Sequence, residues 1–156
     1  SINLSGKIFM TSIAEYLGSD HKRCDDLFAK AEINAGKNKW DEAQTYLKDF
    51  AIALERHFGM EETVLFPEFE KATGSTQGPT SVMRMEHQQM RSIVEMLHDS
   101  ADRCSTEDFL GYSETLNTMM QQHNMKEESI LYQMTDRVLS GRQDEIISAM
   151  STAKPA

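Results

Sequence analysis

The chain has 156 residues, of which 39% are hydrophobic and 26% charged, and carries a formal net charge of −9. That length suits one domain with a sizeable core, and no apolar run approaches the roughly 20 residues that span a bilayer. The acidic balance, with no Lys/Arg cluster, argues against nucleic acid or an anionic membrane as a partner.

Helical periodicity dominates the chain. A first helix carries the stripe Ile13, Leu17, His21, Cys24, Phe28 and Ala31 and ends near Gly36. A second carries Leu47, Phe50, Leu54, His57, Glu61 and Leu65, and Pro67 is expected to bend or fray it. The stretch TGSTQGP, ending at Pro79, is the main loop signal, and Pro79 suits the first turn of a third helix. That helix presents Met83, His87, Met90, Val94, Leu97 and Ala101. Ser105 or Thr106 caps a fourth, with acidic residues in its first turn. Its stripe reads Phe109, Tyr112, Leu116, Met119, His123, Glu127, Ile130 and Met134, and a short helix with a frayed tail follows from Leu139. The expected fold is all-α: one domain over residues 1–156, an antiparallel up-down four-helix bundle with its core at about residues 10–139, and a short C-terminal helix.

One phrase is written twice. HFGMEETVLFP begins at His57 and HNMKEESILYQ at His123, 66 residues later. The same offset relates His21 to His87, Asp20 to Glu86, and Cys24, Phe28 and Ala31 to Met90, Val94 and Leu97. The bundle therefore reads as two helical hairpins related by a pseudo-twofold axis.

Residues four apart share a helix face, with Cβ atoms about 6 Å apart. His57 with Glu61, and His123 with Glu127, each turn an imidazole and a carboxylate into the core. A buried carboxylate costs several kcal/mol unless something positive compensates it, and no Lys or Arg shares these stripes. A metal ion would compensate it. A single inward histidine is ordinarily a hydrogen-bonded core residue. Two HxxxE pairs with two further inward histidines at one offset are not explained that way.

Four His and two Glu suit two ions, each with two imidazoles and both carboxylates bridging. One oxo or hydroxo bridge from solvent makes five bonds per ion and leaves a sixth position open. Such sites suit non-haem iron that handles small oxidants, and facing carboxylates and imidazoles build di-iron bundles. Structural zinc favours closed four-ligand sites with Cys, and no HExxH is present. A haem held by two His would leave both Glu unexplained.

The set His21, His57-x-x-x-Glu61, His87, His123-x-x-x-Glu127 resembles the hemerythrin-like HHE cation-binding family over essentially the whole chain. The resemblance implies a di-iron centre in a four-helix bundle. Its terminal ligands would be His21, His57, His87 and His123, and its bridges Glu61 and Glu127. Members include dioxygen carriers and sensors, and nitric-oxide-responsive proteins linked to iron–sulfur repair. Oxygen carriers place a second His four residues after the third-helix His; Arg91 stands there in this chain. That departure speaks against stable reversible oxygen carriage.

Several residues stay open at this level. Cys24 and Met90 each follow a candidate ligand by one turn and are expected to face the interior. Asp20 and Glu86 either orient imidazoles or sit at the surface, and Glu62 and Glu128 suit solvated or supporting roles. His98, about 16 Å beyond His87 along the helix, cannot share its centre. The tyrosines could donate to a bound oxygen species. Two isolated cysteines without CxxC spacing and an opening SINLSGKIFM without signal-peptide organisation make a cytoplasmic location the expectation. Binding of dioxygen, nitric oxide or peroxide, turnover of the latter two, iron storage or delivery, and iron–sulfur repair all remain compatible with this centre.

Overall fold

The computed structural model describes residues 11–155, so the opening stretch SINLSGKIFM lies outside the described residues. The elements are α1 (Ile13–Gly36), α2 (Trp40–Met60), a π-helical turn π1 (Glu61–Leu65) and α3 (Phe66–Thr73). They continue with α4 (Pro79–Asp102), α5 (Thr106–Lys126), a second π-helical turn π2 (Glu127–Leu131), α6 (Tyr132–Val138) and α7 (Gln143–Ser151). Because π1 joins α2 to α3 and π2 joins α5 to α6 without a break, four rods form the bundle. The α1 rod packs on α2 and α5, and α4 packs on α5 and α2, which closes an antiparallel up-down ring. No strand occurs among the described residues, and no described helix is long and apolar enough to cross a membrane.

Helix ends follow local chemistry. The Ser12 and Ser105 hydroxyls accept from the Glu15 and Asp108 amides, and Pro79 occupies the first turn of α4. Asn38 and Cys104, 66 residues apart, carry positive φ of 57° and 52° in the two hairpin turns. The Asp136 carboxylate accepts from the Ile13 and Ala14 amides at 2.9 and 3.0 Å, filling donors that a helix start leaves without partners. Its repeat counterpart, Glu70, accepts from the Thr80 hydroxyl at 2.7 Å. Each hairpin thus ties its end to the start of the other.

The core is split. One apolar cluster, with Phe28, Leu47, Phe50, Leu97 and Phe109, fills the end near the hairpin turns. The other, with Ile13, Leu17, Leu65, Phe66 and Tyr132, fills the opposite end and receives Ile146, Ile147 and Met150 of α7. Burying each such side chain contributes about 1.5–3 kcal/mol, so α7 is docked. Between the clusters lies a layer of buried His and Glu.

Two expectations change. The helix continues through Pro67 to Thr73, and its distortion is the π turn just before. Proline does not cause it, because π2 recurs where Gln133 replaces Pro67. In each turn the wider bond runs five residues back, from the Phe66 amide to the Glu61 carbonyl and from the Tyr132 amide to the Glu127 carbonyl. The Glu62 and Glu128 carbonyls take side chains instead, Arg84 Nη1 and Gln133 Nε2, both at 3.3 Å. An extra residue per turn rotates the remainder of the rod by about 100°. Ile130, expected inside, is accordingly 57% exposed, while Leu131 and Tyr132 are buried. Tyr112, Met119 and Met134 are only half-buried, since Ser113, Met120 and Thr135 take the core positions on that rod.

Replacing Pro67 should therefore matter little. Pro67→Ala is expected to keep the helical content and to shift stability by less than about 1 kcal/mol in chemical denaturation; a loss above about 3 kcal/mol would make the proline the determinant of the turn.

Candidate metal centre

His21 comes from α1, His57 from the last turn of α2, His87 from α4 and His123 from the last turn of α5. Glu61 and Glu127 are the first residues of the two π turns. All six expected site residues converge, and none is more than 5% exposed. Glu61 Oε1 lies 3.4 Å from His57 Nε2 and 3.3 Å from His87 Nε2. Glu127 Oε1 lies 3.2 Å from His123 Nε2 and 3.1 Å from His21 Nε2. Each carboxylate thus touches one imidazole of its own repeat and one of the other. The donor atoms of Glu61, His87, His123 and Glu127 lie within 4.8 Å of one another, as do those of His21, His57 and Glu127.

The outer nitrogen of every imidazole faces a carboxylate. His57 Nδ1 donates to Asp20 Oδ2 at 2.8 Å, His87 Nδ1 to Glu62 Oε2 at 2.8 Å and His123 Nδ1 to Glu86 Oε1 at 2.7 Å. His21 Nδ1 stands 3.4 Å from Glu128 Oε2 without a hydrogen bond. Asp20, Glu62 and Glu86 thus support imidazoles, whereas Glu128 stands beside His21 without a hydrogen bond. Burial opposes ionisation of Asp20, Glu62 and Glu86, yet their hydrogen bonds to histidine and to Arg23, Arg91 and Lys126 hold each carboxyl below its usual range. An ionised carboxylate can only accept, so the ring proton is fixed on Nδ1 and Nε2 is turned to the centre.

Inside, burial acts against charge on His57, but Glu61 and the Asp20 hydrogen bond raise its imidazolium to about 10. The same opposition, resolved the same way, raises His87 and His123. Burial likewise opposes a charged Glu61, and the His57 charge holds it well below the carboxylate range. Still, His87 Nε2, His123 Nε2, Glu61 Oε1 and Glu127 Oε2 are buried without a hydrogen-bond partner. An orphaned buried polar atom costs about 1–3 kcal/mol. Four converging on one point, imidazole nitrogens and carboxylate oxygens alike, make a donor set that a multivalent cation satisfies and a packed core does not.

Of the tyrosines, which the sequence does not place, one belongs to the site. Tyr132 is fully buried, and its hydroxyl donates to Glu61 Oε2 at 2.8 Å. The oxygen also lies 3.0 Å from Glu127 Oε1 and 3.2 Å from His21 Nε2. Burial, then the charges of Glu127 and Glu61, hold this phenol protonated far above its usual range. Its repeat counterpart is Phe66, which lies against His87 as Tyr132 lies against His21. The signal was the aromatic ending each repeated phrase; the turn that swings it inward was not readable. His98 is half-buried and stands apart from the site. Tyr132→Phe is expected to destabilise the chelator-treated chain by about 1–3 kcal/mol, since Glu61 loses its hydroxyl donor in a buried place; denaturant titration reads the difference.

The family model described as the hemerythrin HHE cation binding domain matches residues 12–135. No curated protein and no solved structure matches the chain. The matched span begins at the cap of α1 and ends within α6, and so takes in both hairpins and all six converging residues. By its sequence and by the buried cluster that could hold metal, this chain belongs to the hemerythrin HHE cation-binding family.

Proposed function

We propose that His21, His57, His87 and His123 hold two non-haem iron ions bridged by Glu61 and Glu127, in one domain spanning the chain. The protein would bind dioxygen, nitric oxide or peroxide for sensing, carriage or stress response. The observation that carries this reading is the convergence of unpaired, buried donor atoms from both repeats on one point. Bound there, iron would supply redox chemistry and an open coordination position for a small oxidant.

The chain's own residues do the rest. The Nδ1 partners of His57, His87 and His123 hold those rings in one tautomer, so that Nε2 is available without reorganisation. Glu61 and Glu127 supply the negative charge that neutralises cations in a place from which water is excluded. Phe58 stacks on His87 with centroids 3.8 Å apart and closes that side. A void of about 10 Å³ touches His21, His57 and His123 and is lined by Cys24, Leu54, Phe58, Met90 and Met120, together with the polar Asp25 and Asn124. Cys24 and Met90 thus face the interior beside the candidate ligands. Burial, and then the Asp20 charge, push the Cys24 thiol up to about 12, so it serves as a neutral, apolar wall. A space that holds about one water suits a diatomic.

Arg91, where oxygen carriers have a further histidine, is engaged with Glu55 at 2.7 Å and Glu62 at 2.9 Å, which supports two imidazoles per ion. Reversible adduct formation and consumption of peroxide or nitric oxide separate on whether the adduct returns intact. Iron delivery or iron–sulfur repair is the alternative, and it requires iron that passes readily to a chelator or an apo iron–sulfur protein. Imidazoles held at Nδ1, as those of His57, His87 and His123 are, favour retention. A cytoplasmic setting belongs to the same proposal.

Protein purified with iron available should contain about two ions per chain. Anaerobic reconstitution should give spectra that change on adding oxygen or nitric oxide. One ion per chain, or a haem spectrum, would overturn the reading. Glu61→Ala and Glu127→Ala should each lose iron while the apolar clusters keep the chain folded; full iron content in both would remove the carboxylates from the ligand set.

The raised His57 has a consequence for pH. Its contribution to stability in the chelator-treated chain is fully present below the ordinary value near 6.5 and is lost as pH rises toward about 10. Melting curves across that window should fall in the parent and flatten in His57→Gln. Loading at pH 7 should also release protons, because the ligand must be neutral; calorimetry in buffers of different ionisation enthalpy reads their number.

A further inference from the structure

The two halves carry the same candidate ligands and differ in what covers them. On the side between α2 and α4, His87 is sealed. Phe58 stacks on its ring, Glu62 holds its Nδ1, and Arg91 lies across Glu62 and Glu55 and over the Phe58 ring at 4.9 Å. At the same positions, 66 residues away, the side between α1 and α5 carries Asn124 for Phe58, Asp25 for Arg91, Gln121 for Glu55 and Gly18 for Arg84. An apolar lid, a carboxylate and two guanidiniums are replaced by two amides, a carboxylate and a hydrogen atom.

The result is a groove of about 710 Å³ whose walls include Asp25, Asn117, Gln121, Asn124, Glu128 and Ser129 and no Lys or Arg. At Gly18 a Cβ would stand 3.1 Å from Glu128 Oε1, so the glycine makes room for that carboxylate. Neither Asp25 nor Glu128 pairs with a Lys or Arg among the described residues, whereas Arg23, Arg91 and Lys126 each sit on one of the other three supporting carboxylates. Behind Glu128, His21 is 5% exposed with Nδ1 unpartnered. The groove shares Asp25, Met120 and Asn124 with the void that touches His21, His57 and His123. The groove and that void therefore lie against the same three side chains, next to the candidate ligands.

We propose, on the reading that the six-residue cluster holds metal, that this groove is the port through which a divalent cation is loaded. Asp25 and Glu128 attract the hydrated ion, and the amide and hydroxyl oxygens beside them replace part of its water shell. The other three faces each meet an arriving cation with a like charge. The broken symmetry thus gives loading one direction without altering the ligand set.

Cobalt(II) is a suitable probe, its uptake followed by visible absorption after rapid mixing at low ionic strength. Asp25→Asn should slow uptake by about threefold, and Asp25→Arg, which restores the residue of the sealed side, by about tenfold or more. Both should reach the parent's final cobalt content. Asp26→Asn removes the same charge from an exposed neighbour outside the groove and should load at the parent rate. The differences should shrink at high salt. Equal rates for Asp25→Arg and Asp26→Asn would overturn the port, as would a lower final cobalt content in Asp25→Arg. A parent chain that takes up no cobalt would remove the metal centre itself, and the port with it.

Discussion

Two carboxylates buried in the middle of a helical bundle are the constraint on which the rest of this molecule is arranged. Glu61 and Glu127 are fully buried, and no Lys or Arg reaches them among the described residues. Left bare in an apolar core, such charges would cost several kcal/mol each. The four histidines, the phenol of Tyr132 and the carboxylates behind the imidazoles all answer that cost. The apolar clusters lie on either side of this polar layer, and the layer between them could hold a metal ion.

The π turns serve the same constraint. Each begins at a buried glutamate and takes up one extra residue. That residue lets the carboxylate face the centre while the helix beyond still presents an apolar face, Leu65 and Phe66 in one rod and Leu131 and Tyr132 in the other. A regular helix would have brought Ile130 inward. π turns inside helices are found disproportionately at functional sites, and both of those here lie at the cluster.

Around the centre a second ring of charge alternates sign. Carboxylates hold the imidazoles, and Arg23, Arg91 and Lys126 hold three of those carboxylates from outside. The outer cations keep Asp20, Glu62 and Glu86 ionised, and those carboxylates orient His57, His87 and His123, which is how a buried site can be rigid without being neutral. The fourth position, Glu128, lacks the outer cation and opens on the groove. The likeness of the halves follows the 66-residue offset, and it stops at Asp25, Gln121 and Asn124, which stand where the other half has Arg91, Glu55 and Phe58.

By itself the sequence determined the helical class, the pairing of the two hairpins and the six converging residues, because each is written as a spacing. A period near 3.6 and an offset of 66 residues survive any rearrangement of neighbours. The Ser105 cap and the place of Pro79 in the first turn of α4 were legible for the same reason, being set by residues adjacent in the chain. Tertiary structure alone decided what depends on contact across rods. Whether Asp20 and Glu86 faced His57 and His123 or solvent turned on how closely the rods approach. Tyr132 entered the site through a turn whose extra residue no local propensity announces. The inequality of the four faces arose from which side chains meet between rods, and a period records only the face a residue lies on, never the neighbour it meets there.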